Sequence, residues 1–411
     1  MYRITVLGAG NTGYATAARL SLNGHTITLG EIPDFAESIS GISNDKKILL
    51  QSPTGLEEAL INQVTSDIGL AIKNADIILL TLPAYAHKSF ANECVRYLTS
   101  GQIVILMPGT LGSLEFARIL KAAEKTGITV GEVDTSPYVC RKTGVNTASI
   151  FGTVAHLGLG VFPANETDNV VTIMNSIFPG ISKYTDVLEC GISSINPVIH
   201  PAGVIMNAGR IEYSDGEFYF YNEGVTTSVS IAIQAVDKER IQIGKALGYK
   251  LKPVNQAIHE AGLGPKGNLY HSIRGSEILT KLKAPGTMQN RWLTEDIPYG
   301  IATWSLLGTS LGIETPIMKS FIEIGSIVSG VNGWEKARNL FDLGISDLNV
   351  EKLRNFLKTY RNLETPSLSM FMCKGQLGDC VDILKKADSV MQESNGWVCT
   401  LNRSIYKICN K

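Results

Sequence analysis

The feature that most restricts the fold of this chain lies in its first 31 residues. A short β-branched strand, RITVL, leads into the glycine turn GAGNTG, then into an alanine-rich helix ending near residue 23 and a second strand. Gly8, Gly10 and Gly13 have the G-x-G-x-x-G spacing of a βαβ dinucleotide-binding unit. Gly8 permits the tight turn, Gly10 lets the backbone approach a pyrophosphate, and Gly13 lets the helix pack on the strand. We therefore predict a dinucleotide-binding domain, with Asn11 beside the helix start that faces the phosphates.

An acidic residue at the end of the second strand indicates which cofactor is bound. Glu31 lies 18 residues past Gly13. A carboxylate in this position accepts hydrogen bonds from the ribose hydroxyls of NAD and repels the 2′-phosphate of NADP. The alternative interpretation is a solvated turn glutamate, because Ile-Pro-Asp follows it. The sequence favours NAD over NADP.

The alternation of strands and helices continues through the first half. Apolar runs at 76–84 and 102–110 are typical of buried parallel strands, and each precedes a predicted helix, 85–98 and 113–126. The strand ITVGEV then leads into a loop, Thr135 to Arg141, which we expect at the carboxyl edge of the sheet, where ligands bind. Turn residues after these strands are expected to line the cofactor groove, although ordinary turn chemistry explains any single one equally well: Pro83, Ala84, Pro108 and Gly109.

The sequence pattern changes at about Ile192. Beyond it, apolar residues recur at three- and four-residue spacings, and VDKERIQIGKALGY has a charged first turn and a stop at Gly248. We predict an α/β fold class, in which a Rossmann-type doubly wound sheet (residues 1–190) precedes an all-α domain (191–361). Residues 362–411 are predicted to be an appended C-terminal extension of unknown role, with one amphipathic helix and four cysteines.

Composition limits the classes of function. Hydrophobic residues make up 44% of the chain and charged residues 18%, as in globular proteins. The formal net charge of −1, without a basic run, argues against nucleic acid and anionic membrane surfaces as partners, and the longest apolar run is strand-sized. Seven cysteines without CxxC pairs and a start without a signal peptide predict a cytoplasmic protein.

Six segments together resemble the octopine/nopaline (opine) dehydrogenase family over roughly residues 1–360. In the family's order they are LGAGNTG, LTLPAYAH, DTSPYVCR, NPVIHPAG, VDKERIQIGKALGY and RWLTEDIPYG, and the joint occurrence of NPxxHPAG with RxLTEDxPYG is the specific part. The resemblance implies a Rossmann domain, a helical domain and an active site between them. It also implies reductive joining of an amino acid's amine to a 2-oxo acid with NAD(P)H. It does not define which amino acid or 2-oxo acid is used.

The resemblance implies roles for five residues. His200 corresponds to the family's catalytic histidine and Asp296 to its partner carboxylate. Arg291 matches an arginine that grips a substrate carboxylate, and Thr135 and Cys140 match a loop that lines the substrate pocket. The residue after the arginine is a tryptophan, where the family commonly has tyrosine.

The chemistry of this reaction favours a histidine independently. Imine formation requires a proton for the departing hydroxyl and the reverse reaction requires its removal, so one group must donate and accept near neutral pH. We place His200 close to the start of a helix with Pro201 at its first position, where the helix dipole depresses the histidine's pKa and Asp296 raises it. The carboxylate would also hold one imidazole tautomer.

Alternatives stay open from sequence alone. A histidine beside prolines is often a packed loop residue, and RWLTED also resembles a helix start with Thr294 as N-cap. Asp237, Glu239 and Arg240 are expected on a solvated helix face. A 2-hydroxy acid or 3-hydroxyacyl dehydrogenase is one rival function, and a non-catalytic NAD-sensing regulator is another. The expected partners are small-molecule substrates, with a homodimer left open and no metal.

Overall fold

The N-terminal half of the chain (residues 1–186) forms two sheets in the computed structural model, which describes residues 1–346 and 348–359. Within these residues there are twelve strands: β1 (Arg3–Leu7), β2 (Thr26–Gly30), β3 (Lys47–Ser52), β4 (Gly55–Leu60), β5 (Gln63–Thr65), β6 (Ile77–Leu80), β7 (Ile103–Leu106), β8 (Thr129–Val133), β9 (Tyr138–Lys142), β10 (Thr147–Thr153), β11 (Gly158–Phe162) and β12 (Ser182–Lys183).

The described residues also contain seventeen α-helices. Helices α1 to α6 belong to the N-terminal half and α7 to α17 to the helical half (residues 187–359): α1 (Asn11–Leu22), α2 (Glu37–Ser40), α3 (Ile68–Ile72), α4 (His87–Cys94), α5 (Gly112–Ala122), α6 (Thr167–Asn175), α7 (Val187–Ser193), α8 (Asn196–Ile205), α9 (Ala208–Ser214), α10 (Thr227–Leu247), α11 (Val254–Glu260), α12 (Leu269–Arg274), α13 (Arg291–Thr294), α14 (Thr303–Ser310), α15 (Pro316–Ser329), α16 (Gly333–Lys336) and α17 (Val350–Thr359). None of these helices is both long and apolar enough to cross a bilayer.

The larger sheet reverses its strand order at β1. Its eight strands lie in the order β12-β11-β8-β7-β6-β1-β2-β5, and β1 pairs in parallel with both β2 and β6. Neighbouring strands are parallel except β11, which is antiparallel to β8. The predicted doubly wound sheet is therefore confirmed. A reversal of this kind leaves a crevice outside the carboxyl ends of the strands, where ligands bind.

Both faces of this sheet are buried, as its continuous apolar strands require. Ile4 and Val6 of β1 join a cluster that includes Tyr14 of α1, whereas Leu7 joins a second cluster with Phe90 of α4 and residues of α5. The predicted helices 85–98 and 113–126 correspond to α4 and α5, which are shorter than expected.

A second sheet of four strands was not predicted. Its order is β4-β3-β10-β9, and its strands pack against α1. The prediction of a loop from Thr135 to Arg141 is wrong in its second part, because Tyr138–Lys142 is strand β9, antiparallel to β10. Tyr138 and Cys140 alternate inward and are buried, so the segment has the two-residue period of a half-buried strand.

Helix α10 runs through the helical half and buries three of its charged side chains. The expectation of a solvated face for Asp237, Glu239 and Arg240 is wrong, since these residues are 4%, 6% and 1% exposed. Arg240 donates to Asp237 and to two backbone carbonyls, and Glu239 accepts the N–H groups of Ile317 and Met318 at the start of α15. Each buried charge is thus paired or hydrogen-bonded, as burial demands.

Strands give way to helices close to residue 190. The last strand, β12, ends at Lys183, and α7 crosses residue 190. The predicted extension, 362–411, lies outside the described residues.

Candidate active site

A cleft of about 720 Å³ lies at the carboxyl ends of β1 and β6, where the strand order reverses. Both halves of the chain line it. The N-terminal half contributes the turn after β1, the end of β2 and the turns after β6 and β7, and the helical half contributes α8 and the segment around α13. Ten of the predicted site residues line this cleft: Gly8, Gly10, Asn11, Glu31, Pro83, Pro108, Cys140, His200, Arg291 and Asp296.

The glycine turn has the shape that its spacing predicted. Gly8 has a φ of +101°, and a side chain at Gly13 would place its Cβ 1.7 Å from the Gly8 carbonyl oxygen. A Cβ at Gly10, by contrast, would meet nothing within 4 Å. The turn is therefore closed against α1 and open toward the cleft. Asn11 begins α1, and its side chain accepts the Lys142 N–H at 2.8 Å, which ties the turn to β9.

Glu31 is a buried group rather than a solvated turn residue. It is 6% exposed. Its carboxylate accepts the Ala9 N–H at 2.9 Å and the Ile32 N–H at 3.0 Å. Burial raises the pKa of Glu31, and the two backbone hydrogen bonds oppose that rise. The carboxylate thus braces the glycine turn from the end of β2.

Two predicted cofactor residues lie behind the cleft surface. Ala84 donates its N–H to Glu295 at 2.7 Å and does not line the cleft. Gly109 makes room for a buried carboxylate, because a Cβ there would approach Glu132 to 2.1 Å. Glu132 in turn accepts N–H groups at the start of α5. The cleft is lined by their neighbours instead: Pro83, Tyr85, Pro108 and Thr110.

His200 and Asp296 form a hydrogen-bonded pair. The Nδ1 atom of His200 lies 2.7 Å from Asp296 Oδ2, and Nε2 lies 2.9 Å from the Tyr221 hydroxyl. The imidazole also stacks on Trp292, with ring centroids 4.3 Å apart and an interplanar angle of 8°. Burial raises the pKa of Asp296, against the lowering effect of its hydrogen bond to His200. The side chain of His200 is therefore held in plane and in orientation.

The local helix geometry around the pair differs from the prediction. Helix α8 begins at Asn196 with Pro197 in its first turn, so His200 and Pro201 lie inside the helix rather than at its start. The earlier proline takes the favoured first-turn position, because its missing N–H is unpaired there in any helix. Likewise Asn290, not Thr294, caps α13. Asp296 then opens a π-helical turn, Asp296–Ala302.

Arg291 is anchored within the cleft by a neighbouring carboxylate. Its Nε atom lies 2.6 Å from Glu295 Oε2, and Glu295 Oε1 accepts the Ala84 N–H from the N-terminal half. The Arg291 side chain is 59% exposed. Glu295 thus fixes the Nε side of the Arg291 guanidinium, and the side chain as a whole stays accessible.

The two residues matched to the family's pocket loop are separated. Cys140 lies on β9 in the cleft wall, where burial raises the pKa of its thiol to about 11. Thr135 lines a second, smaller cavity of about 190 Å³ instead, together with Asp134 and Tyr184.

Two residues near the cleft were not predicted. Arg338, two residues past α16, is 2% exposed and donates to Glu115 at 3.0 Å and to the backbone carbonyls of Thr110 and Ala84. Its Nη2 atom also lies 3.0 Å from Nδ1 of His87, whose pKa is lowered by burial and by the arginine's charge. No motif surrounds Arg338. The second residue is Tyr221, whose only sequence signal is the aromatic run FYFY.

Two family models match the chain. The model described as NAD/NADP octopine/nopaline dehydrogenase, alpha-helical domain, matches residues 183–329. The model described as NAD-dependent glycerol-3-phosphate dehydrogenase N-terminus matches residues 3–125. An opine dehydrogenase from Arthrobacter sp. (strain 1C) is 30% identical over 351 residues, 85% of this chain and 97% of that protein. The chain belongs to the opine dehydrogenase family.

A further relative and a solved structure are also similar to this chain. A vitopine synthase from Allorhizobium ampelinum is 28% identical over 338 residues, 80% of this chain and 91% of that protein. A solved octopine dehydrogenase with NADH and L-arginine has the same fold, with a TM-score of 0.71 at 20% identity over 88% of this chain and 99% of that one. The predicted family and fold class are confirmed. As an opine dehydrogenase, the chain is an NAD(P)-dependent oxidoreductase that acts on CH–NH groups.

Proposed function

We propose that this opine dehydrogenase joins the amine of an amino acid to a 2-oxo acid, with NADH as reductant, and releases a secondary amine dicarboxylate in a reversible reaction. The observation that carries the proposal is the His200–Asp296 pair, 2.7 Å apart, in the cleft that begins at the glycine turn. A positioned acid–base group and a dinucleotide turn in one cleft are what a redox reaction with an imine intermediate requires.

The N-terminal half fits a dinucleotide. The open space at Gly10 and the start of α1 would hold the pyrophosphate, and the buried Glu31 carboxylate would accept the ribose hydroxyls. A bound cofactor supplies the hydride. Glu31 supports NADH as the preferred form, because a buried negative charge repels a 2′-phosphate. Solved relatives include octopine dehydrogenase with NADH and yersinopine dehydrogenase bound to NADP⁺, so the preference is a proposal for this chain.

His200 moves the proton in the proposed mechanism. When the amine has added to the ketone, the imidazolium gives its proton to the hydroxyl group, the C–O bond breaks, water leaves, and the nitrogen lone pair forms the imine. In the reverse direction, neutral His200 takes a proton from the attacking water. Asp296 accepts the Nδ1–H throughout, so its charge stabilises the imidazolium and holds the neutral ring in one tautomer.

Arg291 is the proposed carboxylate clamp. Glu295 engages its Nε atom, and the two terminal nitrogens can bind a substrate carboxylate in a bidentate manner. We expect Arg291→Ala to raise KM for the substrate carboxylates much more than it lowers kcat, because proton transfer at His200 is left in place.

Product analysis tests the proposed function. The native enzyme is incubated with NADH and a panel of 2-oxo acids, with and without a panel of amino acids, and NADH oxidation and products are measured. We expect oxidation to require both substrates and the product to be a secondary amine dicarboxylate. Full-rate formation of a 2-hydroxy acid without amine would replace the proposal with a hydroxy-acid dehydrogenase. NADH binding without turnover of any pair in a broad panel would favour the regulator.

A further inference from the structure

Both ring nitrogens of His200 have side-chain partners. Asp296 lies at Nδ1, and the Tyr221 hydroxyl lies at Nε2, 2.9 Å away. An ionised carboxylate only accepts hydrogen bonds, so Nδ1 carries a proton and Nε2 is the nitrogen that gains or loses one. The Tyr221 hydroxyl is therefore placed at the atom through which His200 exchanges its proton.

The position of Tyr221 is built into the helical half. The residue is 5% exposed and lies in a π-helical turn, Phe220–Gly224. Phe220 packs edge-on against the rings of both Tyr221 and Trp292. Gly203 of α8 allows this approach, because a Cβ there would lie 2.6 Å from the Phe220 ring.

The side chain of Asn207 also links the π-helical turn to α8. Asn207 donates to the carbonyls of Gly203 and Gly224, at 2.8 and 3.1 Å. The hydroxyl is thus held relative to His200 by packing and by a side-chain bridge, and its contact with Nε2 does not depend on an exposed, freely rotating segment.

A phenol suits a histidine that changes its protonation state. A tyrosine hydroxyl both donates and accepts hydrogen bonds. It can donate to Nε2 of the neutral imidazole and accept from the Nε2–H of the imidazolium. Burial and then the charge of Asp296 raise the pKa of Tyr221, against a smaller opposing effect of Arg141, so the group stays a phenol in the range where histidine titrates.

We propose that Tyr221 is the positioning residue of the proton-transfer pair: it holds neutral His200 in the Nδ1–H tautomer and accepts the Nε2 proton of the imidazolium. This inference rests on the proposed acid–base role of His200. The hydroxyl supplies a partner for Nε2 in both states, so neither state leaves a buried polar atom unpaired before the substrate's reacting group arrives.

The effect of Tyr221 on the pH dependence of catalysis can be separated from the effects of neighbouring charges. Besides Asp296 itself, the charges of Glu295 and Arg291 act on Asp296, and the charge of Arg141 acts on Tyr221. On α10, which packs against α8, Asp237 bonds to Arg240 and Glu239 accepts from the α15 backbone, whereas Lys238 and Lys245 are exposed. On α15, Glu323 accepts from Trp334 and Lys319 pairs with Glu314. A Tyr221→Phe change leaves all of these charges in place.

The test compares Tyr221→Phe with Tyr219→Phe in the full enzyme. Tyr219 lies in the same aromatic run but is 41% exposed and packs under Lys283, so its variant is a matched control. We expect Tyr221→Phe to lower kcat by about 10- to 100-fold, the loss of a hydrogen bond to a charged group. NADH binding and the melting temperature should change little, and Tyr219→Phe should behave as the native enzyme.

The pH profile distinguishes positioning from general structural support. Tyr221→Phe removes a hydrogen bond from both protonation states of His200, but the bond accepted from the charged imidazolium is the stronger of the two, so protonation of His200 becomes less favourable. The alkaline limb of reductive condensation and the acidic limb of the reverse oxidation should both move to lower pH, by about one unit. An unmoved profile, or an unchanged kcat, would overturn the inference.

A measurement on the native protein keeps the inference testable if Tyr221→Phe fails to fold. The chain has six histidines, so ¹⁵N-histidine NMR, assigned with His200→Ala, can report the tautomer of His200. The inference requires the neutral Nδ1–H form, and a neutral Nε2–H form contradicts it. Full activity of His200→Ala would overturn the proposed acid–base role and this inference with it. An inactive His200→Ala beside an unaffected Tyr221→Phe would overturn only the role of Tyr221.

Discussion

The two walls of the cleft are assembled in different ways. On the cofactor wall, the glycine turn is one continuous segment, and the carboxylate that braces it is Glu31, 22 residues beyond its partner Ala9. On the wall proposed to carry proton transfer (the proton-transfer wall), His200 and Asp296 are 96 residues apart in sequence and meet only when α8 packs against the π-helical turn Asp296–Ala302. The first wall depends on backbone conformation, and the second depends on side-chain contacts made by tertiary packing.

Because of this difference, substitutions in the two walls should impair different steps. Backbone changes on the cofactor wall should weaken dinucleotide binding and leave the acid–base pair intact. Side-chain changes on the proton-transfer wall should stop the chemistry and leave the dinucleotide site intact. The buried contacts of Arg338 with Glu115 and the carbonyl of Ala84 join the two halves behind the cleft.

The largest expected effect is the loss of the proton carrier. His200→Ala should lower kcat by roughly 10²–10⁴-fold, the usual contribution of a positioned acid–base group. NADH binding, measured by fluorescence titration, should stay within about twofold of the native value if the walls are independent. His271→Ala is the control, since His271 is an exposed residue of α12 in the same half. A large loss of NADH affinity in His200→Ala would show that the two walls are not independent.

The next prediction concerns Arg338, whose contacts join the two halves behind the cleft. Arg338→Met should lower the free energy of unfolding by about 3 kcal/mol, because it leaves the buried Glu115 carboxylate with only the more distant Lys88 as an ion-pair partner. Urea unfolding measures the change. Arg210→Met is the comparison variant: its ion pair with Glu223 is exposed and screened by water, so its loss should lower the free energy of unfolding much less. Equal losses of unfolding free energy in the two variants would show that the buried contacts of Arg338 stabilise the protein no more than an exposed ion pair does.

The cofactor wall could be predicted from sequence because its constraints are local. Gly8 and Gly13 are required by a positive φ and by a close approach within a few residues of each other. The proposed role of Glu31 in cofactor choice follows from its position at the end of β2. Its buried state could not be predicted, because the backbone donors that hold it come from the turn after β1.

The residues of the proton-transfer wall were assigned through the family resemblance, and the chemistry of the implied reaction then favoured a histidine independently. Sequence reasoning placed Pro201 at a helix start, whereas Pro197 holds that position and α8 continues through His200. The contact of Tyr221 depends on packing over Gly203, and that of Arg338 on the docking of the two halves, neither of which leaves a periodic pattern. The domain limits 1–190 and 191–361, and the roles of the individual site residues, stay predictions.

A substitution on the cofactor wall tests the independence of the two walls in the opposite direction. Gly13→Ala would force a Cβ against the Gly8 carbonyl, so the turn must shift. We expect about 5- to 100-fold weaker NADH binding, from an overpacking cost of roughly 1–3 kcal/mol, with kcat at saturating NADH little changed. Gly209→Ala, where a Cβ meets nothing within 4 Å, is the control and should bind NADH normally. A loss of kcat equal to that of His200→Ala would show that the two walls are not separable.

The smallest expected effect concerns cofactor choice at Glu31. Glu31→Gln keeps the size of the side chain and an acceptor for the Ala9 N–H but removes the charge, so the preference for NADH over NADPH should shrink by about 10-fold. Because burial raises the pKa of Glu31, the native carboxylate loses its charge at a higher pH than an ordinary glutamate. The native preference, measured as a ratio of kcat/KM values, should therefore weaken as the pH falls, whereas the Glu31→Gln ratio should stay flat. A native ratio that is independent of pH and equal to that of the variant would assign Glu31 to bracing the glycine turn alone, and cofactor choice would then reside elsewhere on this wall.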